Sequence, residues 1–353
     1  MILIPITWLF LVLIVLIEAK MDLTPTLQQY APNVCPKLAS VLSRLLEATG
    51  DISKKLREGT SHEQAGTQNR FGDNQLEVDI ATDKIVFDAL KSCGHVSVAS
   101  SEETPEETDL GGEGYSVGFD PLDGSSIIDA NFAVGSIFGV WPGRGLLNRT
   151  GREQSASVLS VYGPRTTAAI ALSGSVTGGD PVAFEVTLST KADQGYYVSK
   201  ERLVINPSGK TFAPGNLRAT SDFPKYRELV DFWIKERYTL RYSGGLVPDV
   251  YHIFIKSKGI LTNVSSATAQ AKLRLLYECA PVGLLVEAAG GATCIQPPFP
   301  PLPSEDSGAP PPPPPEPITP ISILDVPIDN LDKRVGVCYG STEEVDIYKR
   351  FLF

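Results

Sequence analysis

The stretch Tyr115–Ser126 reads YSVGFDPLDGSS and places two aspartates directly after a short apolar run. The first residues of this stretch have the composition of a buried strand, and Asp120 follows at its end. Asp123 comes after a proline, so we expect a turn that brings both carboxylates and the Leu122 carbonyl to one small volume. Carboxylate and carbonyl oxygens are the hard ligands that Mg²⁺ binds. This stretch therefore predicts a magnesium site at the end of a strand.

The residues that follow, Gly124, Ser125 and Ser126, offer backbone N–H groups and hydroxyls at the start of a loop or helix. Such a start is a suitable site for a phosphate group, because its N–H groups lack partners in the chain. An ordinary Asp-Gly turn is the alternative interpretation. Acidic residues elsewhere in the chain weigh against it.

Three other segments carry acids beside apolar runs. Glu102 and Glu103 follow the strand-like run VSVAS, Asp79 and Asp83 lie within VDIATDKIVF, and Glu278 lies within KLRLLYECAP. Taken singly, Glu102 and Glu103 fit a solvated loop. Asp79 and Asp83 fit an exposed helix face, and Glu278 fits a helix with ordinary charge pairing. Taken together with DPLDG, they indicate a phosphatase with two or three metal ions. The ions would neutralise the phosphate and lower the pKa of the attacking water.

The composition fits a globular metabolic enzyme. The chain has 353 residues, 42% of them apolar, and a formal net charge of −10, which suits two domains or one large one. Nucleic-acid binding is not expected, because no basic surface dominates. The five cysteines show no C-x-x-C or zinc-type spacing, so we expect free thiols in a reducing compartment.

Apolar patterns that alternate between helical and extended spacing predict an α/β architecture. Helices are expected over residues 34–57, 78–90, 225–236 and 268–279. Strands are expected over residues 96–99, 115–119, 158–162, 167–172, 183–188 and 251–255.

Two segments differ from this core pattern. Residues 1–20 include an uncharged apolar run, which we interpret as a misassigned start or extra exon, with a membrane anchor or secretory signal as the alternative. Residues 297–320 hold 13 prolines and predict an exposed, extended insertion, to which an SH3- or WW-type domain could bind. A boundary at 207–216 is expected to separate a metal- and phosphate-binding domain, 21–206, from a sugar-phosphate-binding domain, 207–353.

These motifs resemble the fructose-1,6-bisphosphatase/sedoheptulose-1,7-bisphosphatase family over residues of about 36–296 and 322–353. FDPLDGSS is similar to the metal signature of the superfamily, which inositol phosphatases share more loosely. Longer strings, such as GDNQLEVD, DGSSIIDANFAVGSIFGVWPG and FAPGNLRAT, resemble the sedoheptulose-bisphosphatase branch. The resemblance implies a layered α-β-α-β-α sandwich of two sheet-containing domains and a homo-oligomer.

The resemblance also implies the cofactor and the residues of the reaction. Mg²⁺ is the implied cofactor, with two or three ions per site and Mn²⁺ able to substitute. Glu103 would accept the proton from the attacking water, with Asp79 and Asp83 as further catalytic residues. The implied metal ligands are Asp79, Glu102, Asp120, the Leu122 carbonyl, Asp123 and Glu278.

Substrate contacts are implied in two groups. The phosphate that is cleaved would be held beside Asp123 by Gly124, Ser125 and Ser126. The far phosphate and the sugar hydroxyls would be held by Asn216, Arg218, Arg241, Tyr242, Lys272 and Arg274.

Three departures from the family pattern bear on function. Typical fructose-1,6-bisphosphatases carry a water-activating aspartate where Lys84 aligns, and Asp83 is expected to take over that role. They also use more tyrosines around the far phosphate, where Arg218 and Asn263 stand here, which favours a seven-carbon substrate. Plastid sedoheptulose-bisphosphatases carry paired cysteines where residues 64–69 read QAGTQN. Thioredoxin control at that place is excluded, and a cytoplasmic location is expected.

The sequence therefore predicts a magnesium-dependent phosphatase that converts sedoheptulose 1,7-bisphosphate to sedoheptulose 7-phosphate and phosphate. Hydrolysis of fructose 1,6-bisphosphate, alone or as a second activity, is the alternative within the family. A non-catalytic protein that recruits partners through its proline-rich insertion is the alternative from another class, and the intact acidic set argues against it. If the protein were an inositol phosphatase, Arg218 and Lys272 would have no evident role, which argues against that interpretation.

Overall fold

The computed structural model describes residues 21–58, 64–68, 74–190, 195–299 and 319–353, with the backbone alone for 64–68, 74 and 75. The apolar run in residues 1–20 and most of the insertion at 297–320 lie outside the described residues, so the expectations for both stay predictions. Over the residues that are described, no helix is both long enough and apolar enough to cross a membrane.

The strands, in chain order, are β1 (Gln64–Gln68), β2 (Asn74–Leu76), β3 (Val96–Ser101), β4 (Thr108–Asp109), β5 (Tyr115–Asp123), β6 (Val134–Pro142), β7 (Arg149–Thr150), β8 (Ala156–Tyr162), β9 (Thr166–Leu172), β10 (Val182–Leu188), β11 (Tyr196–Lys200), β12 (Thr211–Gly215), β13 (Thr239–Leu240), β14 (Ile260–Asn263), β15 (Ala292–Ile295), β16 (Pro327–Ile328) and β17 (Val337–Gly340). The helices are α1 (Thr24–Tyr30), α2 (Pro36–Arg57), α3 (Glu77–Cys93), α4 (Gly174–Thr177), α5 (Pro224–Lys235), α6 (Leu246–Lys256), α7 (Ala280–Ala288) and α8 (Thr342–Leu352). Short 3₁₀ turns span Ser125–Ala130, Gly151–Glu153, Leu217–Ser221 and Ile323–Asp325, and a π-helical turn spans Leu275–Cys279.

The larger sheet has the strand order β11-β10-β9-β8-β6-β5-β3-β4. Its strands pair antiparallel except β3 and β5, which run parallel. The carboxyl ends of these two strands therefore open at the same edge of the sheet. Helices α2 and α3 cover one face, and α2 buries Leu38, Leu42 and Leu45 at helical spacing.

The smaller sheet has the strand order β13-β12-β14-β17-β15. Helices α6 and α7 lie between the two sheets, because both contact strands of each sheet. Helices α5 and α8 cover the outer face of the smaller sheet, where Trp233 and Tyr348 are fully buried. The layers therefore alternate helix, sheet, helix, sheet, helix, and the predicted layered α/β sandwich with two sheets is confirmed.

Most predicted elements correspond to observed ones, and two are wrong. Residues 251–255 form no strand but the second half of α6, whose buried face carries Val247, Val250 and Phe254 at helical spacing. The helix expected over 268–279 is absent before the π-helical turn. In that segment the hydroxyls of Ser265 and Ser266 accept backbone N–H groups, which competes with helix formation.

Candidate active site

A β-bulge in β5 brings Asp120 and Asp123 to one face of the larger sheet. In a regular strand, residues three apart point to opposite faces. Here Asp120 pairs with Ile137 and Asp123 with Gly135, and these two partners share a face of β6. The extra residue in β5 therefore turns Asp123 to the side of Asp120. The expected turn is in fact a continuous strand that runs through Asp123.

Three carboxylates from separate elements meet beside this bulge. Asp120 lies in β5, Glu102 follows the end of β3, and Glu278 lies in the π-helical turn before α7. The parallel register pairs Ser101 with Phe119, so the next residues of both strands, Glu102 and Asp120, lie side by side. One carboxylate oxygen from each acid lies within 4.8 Å of the others. A single divalent cation can bind such a set of oxygens.

Burial and mutual repulsion act on the protonation of these acids. Burial, with repulsion from Glu102, raises the pKa of Asp120 and of Glu278 well above the usual range. Burial also raises the pKa of Asp123 to about 7 and that of Asp79 to about 6. Burial and repulsion thus stabilise the protonated form of each acid relative to its charged form, whereas a bound divalent cation would stabilise the charged form. The chemistry of this acid set therefore fits a divalent metal.

Asp123 also contacts the amino-terminal end of α6. The N–H of Leu246 donates to Oδ1 of Asp123 at 3.2 Å, and the N–H of Val247 donates to Oδ2 at 2.6 Å. N–H groups in the first turn of a helix have no helical acceptor, so the carboxylate supplies one. This contact orients Asp123 and ties the larger sheet to α6.

Arg274 lies among the acids rather than in a cavity for phosphate. Its side chain is 3% exposed, and the guanidinium donates from Nη1 to Glu102 and from Nε to Oδ1 of Asp332 at 2.8 Å. Its backbone N–H donates to Oε2 of Glu278 at 2.5 Å. These contacts make Arg274 a buried counter-charge of the acidic cluster, and they give no support to its predicted contact with the far phosphate.

Helix α3 presents Asp79 and Asp83 one turn apart, both buried. Oδ2 of Asp79 accepts the N–H of Leu76 at 3.1 Å, and repulsion from Glu102 helps to raise the pKa of Asp79, which places it beside the cluster. Asp83 accepts hydrogen bonds from the hydroxyls of Ser101 and Thr104. The predicted base Glu103 lies in the bend between those two hydroxyls and is half-buried.

Gly124 adopts a left-handed conformation, with a φ of 87°, between β5 and the 3₁₀ turn that begins at Ser125. A methyl group at Gly124 would meet a Val134 side-chain atom at 3.3 Å. Ser125 and Ser126 follow directly and are not buried. Their position beside Asp123 is compatible with the predicted phosphate contact.

A cavity of about 400 Å³ gathers four of the residues predicted to contact the far phosphate and the sugar. A smaller pocket, lined by Asp123 and Asp249, shares several wall residues with this cavity, including Tyr242 and Asn263. The pocket at Asp123, whose charge also acts on Asp120 and Glu278, therefore adjoins the cationic cavity. The predicted residues in the larger cavity are Asn216, Arg218, Tyr242 and Lys272.

Two predicted substrate residues have other contacts. The amide of Asn216 donates to the carbonyls of Val264 and Ala269 at 2.7 and 2.8 Å, so this residue fixes the cavity wall. Arg241 is exposed, donates to the carbonyl of Leu240 at 2.8 Å, and lies close enough to His252 to help lower its pKa, after burial. The structure does not bring Arg241 to this cavity.

Sequence reasoning missed Asp249 and Gln270. Asp249 accepts the N–H groups of Ser243 and Gly244 at 2.7 and 3.1 Å, and so shapes the loop that borders both pockets. An acid in the first turn after Gly-Gly could have indicated this helix start. Gln270 lines the larger cavity, and no pattern in the sequence marks it.

Buried acids beside a cavity with cationic walls are the arrangement of a metal-assisted phosphoryl hydrolase. Comparison with known proteins then gives the family. Residues 24–183 match the fructose-1-6-bisphosphatase N-terminal domain, and residues 205–296 match the corresponding C-terminal domain. The chain belongs to the fructose-1,6-bisphosphatase family.

Individual relatives agree with this assignment. The chain is 45% identical to the chloroplastic sedoheptulose-1,7-bisphosphatase of Chlamydomonas reinhardtii, over 96% of this chain and 79% of that relative. It is 32% identical to the class 1 fructose-1,6-bisphosphatase of Geotalea uraniireducens, over 91% and 93%. A crystal structure from Toxoplasma gondii, assigned to the sedoheptulose-1,7 bisphosphatases, has a TM-score of 0.78 at 35% identity, over 94% and 98%. The predicted family and enzyme class, a phosphoric monoester hydrolase, are confirmed.

Proposed function

We propose that this protein hydrolyses sedoheptulose 1,7-bisphosphate to sedoheptulose 7-phosphate and phosphate with the help of Mg²⁺. The observation that carries the proposal is the shared wall between the pocket at Asp123 and the cavity at Arg218 and Lys272. One end of a bisphosphate would meet the acids and their cations, and the other end would meet the two cationic side chains. Binding energy from the far phosphate would then position the bond that is cleaved.

The cation site is proposed on the residues that meet around the bulge. Glu102, Asp120 and Glu278 would hold a cation directly, with Asp79, Asp123 and the Leu122 carbonyl as further ligands for two or three ions. When bound, Mg²⁺ neutralises the phosphate and lowers the pKa of the attacking water. Mn²⁺, which also takes oxygen ligands, is expected to substitute.

The chain's own groups supply the remaining steps. Glu103, on the bend beside the cluster, would accept the proton of the attacking water. Gly124, Ser125 and Ser126 would hold the reacting phosphate with N–H groups and hydroxyls. Arg241 and Arg274 are left out of the proposed far-phosphate contact, because their observed partners lie elsewhere.

The seven-carbon substrate is proposed on the relatives' names and on Arg218 and Asn263, which fall at or near positions where the family has tyrosines and which line the cavity. The side-chain oxygen of Asn263 is buried and has no hydrogen-bond partner among the described residues. Asn263 as a residue lines the wall that both pockets share. Fructose 1,6-bisphosphate is the second candidate substrate, since the class 1 relative at 32% identity is named for it.

A side-by-side assay with Mg²⁺ decides between the two sugars. We expect a higher kcat/KM for sedoheptulose 1,7-bisphosphate, whereas an equal or higher value for fructose 1,6-bisphosphate would reverse the assignment. Asp120→Asn is expected to lower phosphate release from either sugar by at least about 100-fold, because a lost metal ligand removes several kcal/mol of charge stabilisation. An Asp120→Asn variant with unaltered phosphate release would instead support the non-catalytic alternative.

The oligomeric state, the cellular location and the partner of the proline-rich insertion stay predictions. We propose a homo-oligomer in the cytoplasm, on the resemblance and on the lack of cysteine at residues 64–69. The proline-rich insertion at 297–320 is proposed as a site for an SH3- or WW-type partner. A gel-filtration mass equal to that of one chain would contradict the oligomer.

A further inference from the structure

Two hydrogen bonds between Ser101 and Thr104 close a small hydrogen-bonded ring of the backbone that contains Glu102 and Glu103. The N–H of Ser101 donates to the carbonyl of Thr104 at 3.1 Å. The N–H of Thr104 donates back to the hydroxyl oxygen of Ser101 at 2.8 Å. Glu102 and Glu103 form the bend inside this ring, so its geometry fixes the backbone from which both carboxylates extend.

Asp83, which lies in helix α3, accepts hydrogen bonds from the hydroxyls at both ends of this ring. The hydroxyl of Ser101 donates to Oδ1 of Asp83 at 2.6 Å, and the hydroxyl of Thr104 donates to Oδ2 at 2.8 Å. Asp83 is 8% exposed and lies one helical turn after Asp79. Helix α3 therefore carries Asp79, which lies beside the cluster, and also the acceptor that fixes the bend with Glu102 and Glu103.

Both oxygens of Asp83 are directed at the ring. To reach a water molecule in the acidic cluster, the carboxylate would have to release Ser101 or Thr104 and so loosen the bend. The arrangement suits an acceptor that stays in place, because two hydroxyls donate to one carboxylate in a buried setting. It does not suit a group that takes and returns a proton in each turnover.

We infer that Asp83 is a positioning residue, which fixes Glu102 and Glu103 relative to Asp79 through the hydroxyls of Ser101 and Thr104. The acids need such support, because Glu102, Asp120 and Glu278 lie within 4.8 Å of one another and repel each other when ionised. Glu102 is the more exposed member of that set, with a side chain 24% exposed. Arg274 contacts the Glu102 carboxylate, and the ring fixes the backbone from which that carboxylate extends, so a looser ring would place Glu102 less well for a cation.

Thr104 offers a matched pair of variants. Thr104→Val keeps the volume and removes the hydroxyl, whereas Thr104→Ser keeps the hydroxyl. Binding of Mg²⁺ and of Mn²⁺ to the full chain is measured by titration calorimetry without substrate. We expect Thr104→Val to weaken cation binding by about 10-fold, as for other residues that support metal ligands. Thr104→Ser should restore binding to within about twofold, because it retains the bond.

Asp83→Asn is expected to weaken cation binding by about 10- to 100-fold. Asp88→Asn is the control on the same helix, since Asp88 and its partner Lys84 are both exposed, and cation affinity should not change. In the phosphatase assay, Asp83→Asn should raise the half-saturating Mg²⁺ concentration by the factor seen in calorimetry. The KM for the sugar bisphosphate at saturating Mg²⁺ should not change.

A catalytic base at Asp83 would give a different pattern. Asp83→Asn would then lower kcat at saturating Mg²⁺ and leave cation affinity unchanged, and Thr104→Val would have little effect. That pattern overturns the inference. If Asp83→Asn does not fold, as judged by its melting transition, the Thr104 pair decides alone.

The inference depends on the proposed function for its cation, and the two can fail separately. A wild-type chain that binds no divalent cation in calorimetry would refute both the metal site and the inference. A wild-type chain that binds Mg²⁺, with equal affinity in Thr104→Val, would refute the positioning role alone. The preferred sugar has no bearing on either outcome.

Discussion

Asp120 and Glu278 are buried carboxyl groups that lie within reach of Glu102, and Arg274 is the cation that contacts this cluster. The sequence marks these acids, because each follows or interrupts an apolar run. It does not mark the place of Arg274, which contacts Glu102 from 172 residues further along the chain. Residue types at a site can be predicted from motifs, whereas the pairing of charges depends on packing between distant segments.

The stability of the cation-free protein should fall as pH rises. Asp79, with a pKa of about 6, and Asp123, with a pKa of about 7, bind protons more tightly when folded than when unfolded. Unfolding therefore releases protons from about pH 4 to about pH 7, and the free energy of unfolding decreases over that range. Melting temperatures in EDTA should fall across it, and added Mg²⁺ should raise the melting temperature more at the upper end.

Asp120→Asn serves as the control, because it removes one raised carboxyl pKa from the cluster. Its melting temperature in EDTA should depend less on pH than that of the wild type. A wild-type melting temperature that rises with pH over the same range would contradict the assignment of these pKa values.

At the scale of elements, the conformation of two segments was harder to predict than the role of the residues they carry. These segments are the end of β5 and the second half of α6. The proline and glycine of DPLDG indicate a turn, yet the strand continues and a bulge places both aspartates on one face. The run YHIFI has the composition of a strand, but helix contacts between the sheets override that preference. Most of the elements that period and composition predict are observed, and the prediction fails where long-range packing decides between two local choices.

Gly124 ends β5 in the left-handed region, and a side chain there should be costly. Gly124→Ala is expected to lower the free energy of unfolding by about 1–2 kcal/mol, because the conformation is unfavourable for a residue with a Cβ. The new methyl would also press on Val134 at 3.3 Å. Phosphate release should fall as well, since Ser125 and Ser126 follow directly. Urea unfolding and the bisphosphate assay measure the two effects.

Gly179 provides the matched control, because a Cβ added there would meet no atom within 4 Å. Gly179→Ala should change stability by less than about 0.5 kcal/mol and leave phosphate release unaltered. Equal stability of the two variants would show that the left-handed turn at Gly124 is not required.

At the scale of the whole molecule, the active site lies where the larger sheet meets α6 and the π-helical turn. Asp123 binds the start of α6, and Glu278 reaches the cluster from the segment before α7. The layered fold and both acid-bearing strands were predictable from sequence and resemblance. The junction was not, because it consists of contacts between residues more than 100 positions apart.

A second side-chain contact, between Tyr251 in α6 and Glu185 in β10, joins this helix to the larger sheet. Its contribution to stability can be measured by mutation. Glu185 in β10 is 2% exposed, accepts the hydroxyl of Ser199 at 2.5 Å, and accepts the hydroxyl of Tyr251 in α6. Tyr251→Phe would leave one oxygen of a buried carboxylate without this donor. We expect a loss of about 1.5–3 kcal/mol in the free energy of unfolding, the usual value for a hydrogen bond to a charged group.

Glu185→Gln completes a double-mutant cycle with Tyr251→Phe. A neutral amide costs less to leave unpaired than a carboxylate, so Tyr251→Phe should be less destabilising in a chain that already carries Glu185→Gln. Additive effects of the two substitutions would mean that Tyr251 and Glu185 do not interact. A positive coupling energy would show that Glu185 holds α6 along its length. Together with the hydrogen bonds between Asp123 and the first turn of α6, this contact would give the larger sheet two points of attachment to the helix that orients Asp123.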